Sequence, residues 1–118
     1  MGVFRRPVYF RKPQAQGGLA TEGLIDTGAT LSALPAGSAV QLGLEAVDRR
    51  AFELADRSVV ELNVGYVELT LEGKSIVTLC AFGEEVAEPL IGATTLELLF
   101  LTVDPVHRVL IPTNGLLM

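Results

Sequence analysis

Tryptophan is absent from this chain, cysteine and histidine occur once each, and aromatic residues make up only 6% of its 118 positions. A lone Cys80 excludes an internal disulfide. It sits in the apolar run "SIVTLCAF" (75–82), in a different segment from His107, which points to a buried, inert thiol rather than a nucleophile. No set of His, Cys and carboxylates has metal-ligand spacing, so neither a metal nor any other cofactor is expected. Positive charge is scarce: nine Lys and Arg against fourteen Asp and Glu give a formal charge of −5. The one basic cluster, "FRRPVYFRK" (4–12), is too small for a nucleic-acid surface, which needs many cations along one face. No apolar stretch reaches the roughly 20 residues of a membrane span, so no membrane partner is expected. The first residues carry two arginines without the apolar region of a secretion signal. Arg6 also stands where a myristoylation site beginning at Gly2 needs Ser or Thr. The expectation is a cytoplasmic protein.

What is abundant is apolar. Hydrophobic residues make up 49% of the chain, with a mean hydropathy of +0.43, high for a soluble monomer of this length. That excess implies apolar surface covered by a partner, most simply a second copy. The length suits one domain over residues 1–118. Val, Ile and Leu punctuated by Gly and Pro bias it towards β-structure.

The pattern predicts strands over 3–10 (Pro7 marking an edge or a break) and 19–25, then extended chain over 30–35. A short helix follows, with Pro35 near its first turn and Gly43 just past its end. "AFEL" and "VVEL" flank Ala55, Asp56, Arg57 and Ser58 as a hairpin reversal. Apolar residues then alternate at Val60, Leu62, Val64 and Tyr66 before the parity switches to Val67, Leu69 and Leu71. A bulge or sharp bend at Gly65 is the expected cause. "SIVTLCAF" reads as a strand buried on both faces, and "EPLIG" (88–92) as a short buried one. Thr94 and Glu97 have capping-box spacing ahead of a short helix that places Leu96, Leu99 and Phe100 on one face. "LTV" and "RVLIP" flank "DPVH" as a final hairpin, with Asp104 as turn chemistry and His107 as a surface residue.

One acidic residue interrupts an apolar strand in "LIDTGATLSALP" (24–35). Asp26 either ends the strand in an ordinary turn, as Asp-x-Gly often does, or is held in a poorly solvated site for chemistry. In the second case Thr27 offers a short hydroxyl to nearby backbone, and Gly28 lets N–H groups approach the carboxylate. One such Asp is a weak hydrolase. Two close together share a proton, so that one activates water while the other donates to the attacked carbonyl. Only one Asp-Thr-Gly is present, so a second would come from another chain.

"LIDTGATLSALP", followed by a hairpin region and then "EPLIGATTLELLFLTVDPVHRVLIP" (88–112), resembles the retropepsin-type aspartic proteases. More closely, it is similar to the single-domain aspartyl-protease-like proteins encoded by cellular genomes. Leu24 to Ala29 match the first family motif, and Leu90-Ile91-Gly92 match the second, which opens a short helix. The resemblance implies an all-β, closed acid-protease barrel with one or two short helices, half of a dimeric aspartic protease. It implies Asp26 as the catalytic carboxylate, Thr27 bonding across the dimer axis, and Gly28 near the substrate, with Ala29 completing the motif. It makes the hairpin at 52–60 a flap over an extended peptide or protein substrate, with Ala55, Asp56, Arg57 and Ser58 at its tip and Leu54 beside them among its substrate-binding residues.

Two positions depart from the family pattern. The tip contains no glycine, and Ala93 follows Gly92 where retroviral enzymes carry a dimer-stabilising Arg. The apolar tail "VLIPTNGLLM" (109–118) either interleaves with a partner's or packs on its own domain. Two functions follow: a homodimeric aspartic endopeptidase, or a non-proteolytic module that keeps the fold for dimerisation or peptide binding.

Overall fold

The computed structural model of the chain describes residues 3–117, so Gly2 and Met118, each part of an expectation above, lie outside the described residues. The elements run β1 (Phe4–Arg11), β2 (Leu19–Ile25), β3 (Ser32–Pro35), α1 (Ala36–Leu42), β4 (Asp48–Glu53) and β5 (Val59–Leu71). They continue with β6 (Lys74–Gly83), β7 (Leu90–Ile91), α2 (Ala93–Leu98), β8 (Leu101–Asp104) and β9 (Val109–Pro112). One sheet has the order β1-β2-β7-β3-β6-β5-β4, and β1 also pairs with β5. Six strands therefore close a barrel, and β4 branches from it. The protein is mostly β, with a closed six-stranded barrel as its frame.

Alternation on β1 sends Phe4, Val8 and Phe10 inward, and β5 sends Val67, Leu69 and Leu71 to meet them. Phe10 and Leu69 are fully buried directly opposite each other in the β1–β5 ladder. Burying side chains of this size contributes roughly 1.5–3 kcal/mol each. Pro7 lies in the half of β1 that pairs with β2 alone, where a missing N–H costs no second ladder. Three ion pairs, Arg5–Glu88, Arg6–Glu72 and Arg11–Glu68, tie this strand to its surroundings, each closing to 2.9 Å. Helix α1 begins after Pro35 and ends at Gly43, whose φ of 73° is the left-handed cap that glycine adopts without strain.

Five local expectations are corrected. No bulge interrupts β5: its register with β6 is unbroken from Asn63↔Phe82 to Leu71↔Lys74. The parity switches because the strand has two cores on opposite faces. Leu62 and Val64 pack with Ala81 on one side, and Val67, Leu69 and Leu71 fill the barrel on the other. Gly65 sits at the change because the backbone of Glu45 crosses there, and a Cβ would lie 2.2 Å from its carbonyl oxygen. Tyr66, expected inside, is exposed. Strand β6 is buried on both faces only in its second half, with Val77 still exposed. Finally, α2 is capped by Gly92 rather than Thr94, with no side-chain capping bond. Phe100 lies beyond that helix, at a φ of 57°, and is half-exposed.

Candidate active site

The two apolar motifs run side by side. β2 pairs parallel with β7, Leu24 opposite Leu90 and Ile25 opposite Ile91. The Leu24 N–H donates to the Pro89 carbonyl and the Asp26 N–H to the Ile91 carbonyl, both at 2.9 Å. This parallel ladder carries the chain out of the barrel at Asp26. There the Gly28 N–H donates to Asp26 Oδ1 at 2.9 Å, and the Ala29 N–H to the Asp26 carbonyl at 3.1 Å. A side chain at Gly28 would bring its Cβ to 3.2 Å from the same carboxylate oxygen. The carboxylate is thus oriented by backbone, as its sequence context suggested. The poorly solvated setting expected of it is not reached within one chain: Asp26 is half-buried, and Thr27 and Gly28 are exposed.

The loop after Asp26 is fastened to the start of α2. The Ala93 and Thr94 N–H groups donate to the carbonyls of Ala29 (2.7 Å) and Thr30 (3.1 Å). The Gly92 N–H donates to Ser32 Oγ at 3.1 Å, and that hydroxyl lies 2.6 Å from Thr95 Oγ1. These contacts satisfy orphan donors that begin every helix. They also explain Gly92, whose Cβ would fall 2.5 Å from the Leu31 carbonyl oxygen and 2.9 Å from that of Ala29. Ser32 and Thr95 are fully buried, and sequence reasoning passed over both. A usable signal existed: Ser32 shares the parity of buried Leu34, and Thr95 adjoins the buried Leu96.

Beside this loop opens a cleft of about 770 Å³. Its floor is apolar, built from Leu31, Ala33, Leu62, Leu79, Ala81 and Leu90, and Gly28 and Ala29 also line it. Alternation on β3 makes this possible, with Ser32 and Leu34 turned into the barrel and Leu31 and Ala33 to the cleft. One wall is the arm at 50–54 and another the segment at 85–88. The hairpin reverses where expected. Leu54 N–H bonds Ser58 carbonyl (2.8 Å), and Arg57 N–H bonds Leu54 carbonyl (2.9 Å). Asp56 Oδ1 accepts from the Ser58 hydroxyl (2.5 Å) and N–H (3.0 Å), which hold its carboxyl below the usual range. Arg57 takes a φ of 70° where a glycine would sit without strain, and Ala55 completes the turn. Of the flap residues named from sequence only Leu54 lines the cleft, and the tip residues Ala55 to Ser58 do not.

Elsewhere, burial pushes the Cys80 thiol up to about 12, which leaves it protonated and inert. Asp104 accepts from the backbone of Val106 and His107 and meets His107 Nδ1 at 2.7 Å, all within a surface turn. Among the described residues, no group of three or more His, Cys, Asp or Glu is placed to hold a metal ion, and no helix is long and apolar enough to cross a membrane. In the tail, Leu116 and Leu117 are 93% and 95% exposed, so these two do not pack on their own domain.

No family model and no curated protein matches this sequence. Among solved structures, the solution structure of Simian foamy virus (mac) protease is similar, with a TM-score of 0.58 at 11% identity. The match covers 79% of this chain and 91% of the viral one. The fold is that of a retroviral protease. At such identity the likeness is one of architecture, and it carries neither activity nor substrate across.

Proposed function

We propose that the chain is one half of an aspartic endopeptidase of the cellular, single-domain retropepsin type, completed by a second copy. The observation that carries this reading is the placement of Asp26. Its carboxylate is oriented by the Gly28 N–H, half-exposed, and set where the parallel β2–β7 ladder leaves the barrel beside a peptide-sized apolar cleft. A lone carboxylate there does little. Two of them facing each other share one proton: the charged member takes a proton from water as it attacks, and the protonated member donates to the carbonyl oxygen. Thr27 would bond across the axis, and Gly28 and Ala29 would lie beside the substrate backbone. The hairpin at 52–60 would act as the flap that excludes water, and the substrate would lie extended along the cleft. The exposed Leu116 and Leu117 favour a copy–copy contact through the tail.

The test is peptide-library digestion by wild type and Asp26→Asn side by side across about pH 4–7. Cleavage should vanish in the variant while its circular dichroism and elution volume stay those of wild type. Undiminished hydrolysis by Asp26→Asn would sink the reading.

A second reading, a non-proteolytic peptide-binding or dimerisation module, is favoured by two features. The hairpin tip is tied by its own bonds around a carboxylate, and Ala93 replaces the dimer-stabilising Arg. Light scattering on a concentrated sample separates the two. A strict monomer excludes a two-aspartate site.

A further inference from the structure

The tail beyond β9 folds back on Phe100 at two points. The Thr113 N–H donates to the Phe100 carbonyl at 2.9 Å. A Cβ at Gly115 would lie 2.6 Å from Cε2 of the Phe100 ring, so only glycine lets the main chain rest there. Asn114 spans these two anchors. It is exposed and lies in irregular chain. Neither its side chain nor the Gly115 N–H has a hydrogen-bond partner among the described residues. The other asparagine, Asn63, is held differently. It lies within β5, accepts from Arg49 Nη1 at 2.9 Å, and precedes the buried, β-branched Val64.

An asparagine before glycine can react with its own main chain, because no neighbouring side chain shields the next nitrogen. The Gly115 nitrogen attacks Asn114 Cγ, its proton passing through solvent to the leaving amide. A C–N bond forms, the Cγ–Nδ2 bond breaks, ammonia departs, and a five-membered succinimide remains. Water then opens the ring. Breaking the Cγ–N bond gives aspartate. Breaking the bond on the main-chain carbonyl side, the favoured course, gives isoaspartate, whose main chain is one methylene longer. Water enters and ammonia leaves, and no other reactant is needed.

We propose that Asn114–Gly115 is a self-modification site whose conversion charges the tail and shifts it off Phe100. Resting on the two-copy reading above, the same conversion weakens the contact between copies. The extra methylene falls between the Thr113 anchor and the ring, so Gly115 no longer meets Phe100 in register. Either product sets a carboxylate beside the exposed apolar Phe100, Leu116 and Leu117. A two-fold contact uses the same patch on both copies, so each brings its own unpaired charge into an apolar seam.

The experiment compares fresh protein with protein aged in mild alkali. Peptide mapping by mass spectrometry should find the amide-to-acid mass gain at Asn114 and not at Asn63. In the amide NMR spectrum, the Gly115 resonance, displaced in fresh protein by the Phe100 ring current, should move to its unstructured position. Light scattering over a dilution series should show the dimer dissociation constant rising about tenfold. Asn114→Gln, aged alike, should keep its amide, its Gly115 resonance and its constant. An intact amide at Asn114, equal conversion at Asn63, or an unmoved Gly115 resonance after conversion overturns the proposal. So does an unchanged constant in a wild type that dimerises. A fresh wild type that is strictly monomeric defeats the two-copy reading instead, and the peptide map and the Gly115 resonance still decide the site.

Discussion

Replacing Gly92 by alanine puts a methyl group where two loops already touch. Its Cβ would lie 2.5 Å from the Leu31 carbonyl oxygen, 2.6 Å from the Leu31 carbonyl carbon and 2.9 Å from the Ala29 carbonyl oxygen. All three neighbours are backbone, so none can swing aside. Relief requires the start of α2 to move away from the 29–32 loop, against three bonds: Gly92 N–H to Ser32, Ala93 N–H to Ala29 and Thr94 N–H to Thr30. At about 1 kcal/mol net for each bond, the variant loses about 3 kcal/mol if the loops part. If they stay, overpacking costs about 1–3 kcal/mol instead. Near the upper figure the melting temperature should fall by about 12 °C. Urea unfolding followed by far-ultraviolet circular dichroism reads the change, since the chain has no tryptophan. Gly37→Ala is the control: it lies in α1 with nothing within 4 Å of its Cβ, so it should be neutral or stabilise by up to about 1 kcal/mol. A loss below about 1 kcal/mol in Gly92→Ala, or an equal loss in Gly37→Ala, refutes the reasoning.

Ser32→Ala strips a buried acceptor from the Gly92 N–H and a partner from the Thr95 hydroxyl, and should cost about 1–3 kcal/mol in the same urea assay. Because the two hydroxyls form one unit, Ser32→Ala/Thr95→Val should cost less than the sum of the single changes. Cys80, fully buried with its thiol raised to about 12, should resist Ellman's reagent in the native protein and react fully in denaturant. Asp104 is held below its usual 3.8 by the His107 side chain first, then by backbone N–H groups. A depressed carboxyl contributes stability above its unfolded value, and the contribution is lost as pH falls through the folded one. The melting temperature of Asp104→Asn should therefore fall less than that of wild type as the pH drops below about 4.

Much of the fold was legible because its signals are local. Pro35 and Gly43 bound α1, alternation marked β1, β2 and β5, and the 55–58 reversal closed where polar residues cluster. Leu24-Ile25 and Leu90-Ile91 could be recognised as two motifs. Their parallel pairing, across more than sixty positions, leaves no trace in either segment. The same holds for closure of the barrel through β1 and β5, and for the Ser32–Thr95 contact. Where local rules failed, tertiary packing had overridden them. Thr94 has the spacing of a cap, but backbone and Ser32 already accept the first helical N–H groups. Gly65 looked like a bulge or a sharp bend because a switch of parity on one strand normally needs an extra residue. Here the strand simply passes from one core to another. The expected dryness around Asp26 fails for a simpler reason: among the described residues Thr27 and Gly28 are left exposed.

The last rung shared by β5 and β6 is Asn63↔Phe82, yet β5 continues back to Val59 with only β4 beside it. Beyond that rung the hairpin is a two-stranded ribbon about 14 Å long at about 3.4 Å per residue, resting on the second core through Leu62, Val60 and Phe52. Such ribbons have little stiffness of their own. A swing of about 20° at the Asn63 support would carry the free end sideways by about 5 Å for an arm of that length. The wall bearing Phe52 and Glu53 would travel with it, while the barrel and the Asp26 loop stayed still. Such a swing would trade the packing of Phe52 and Val60 on the second core for a wider cleft.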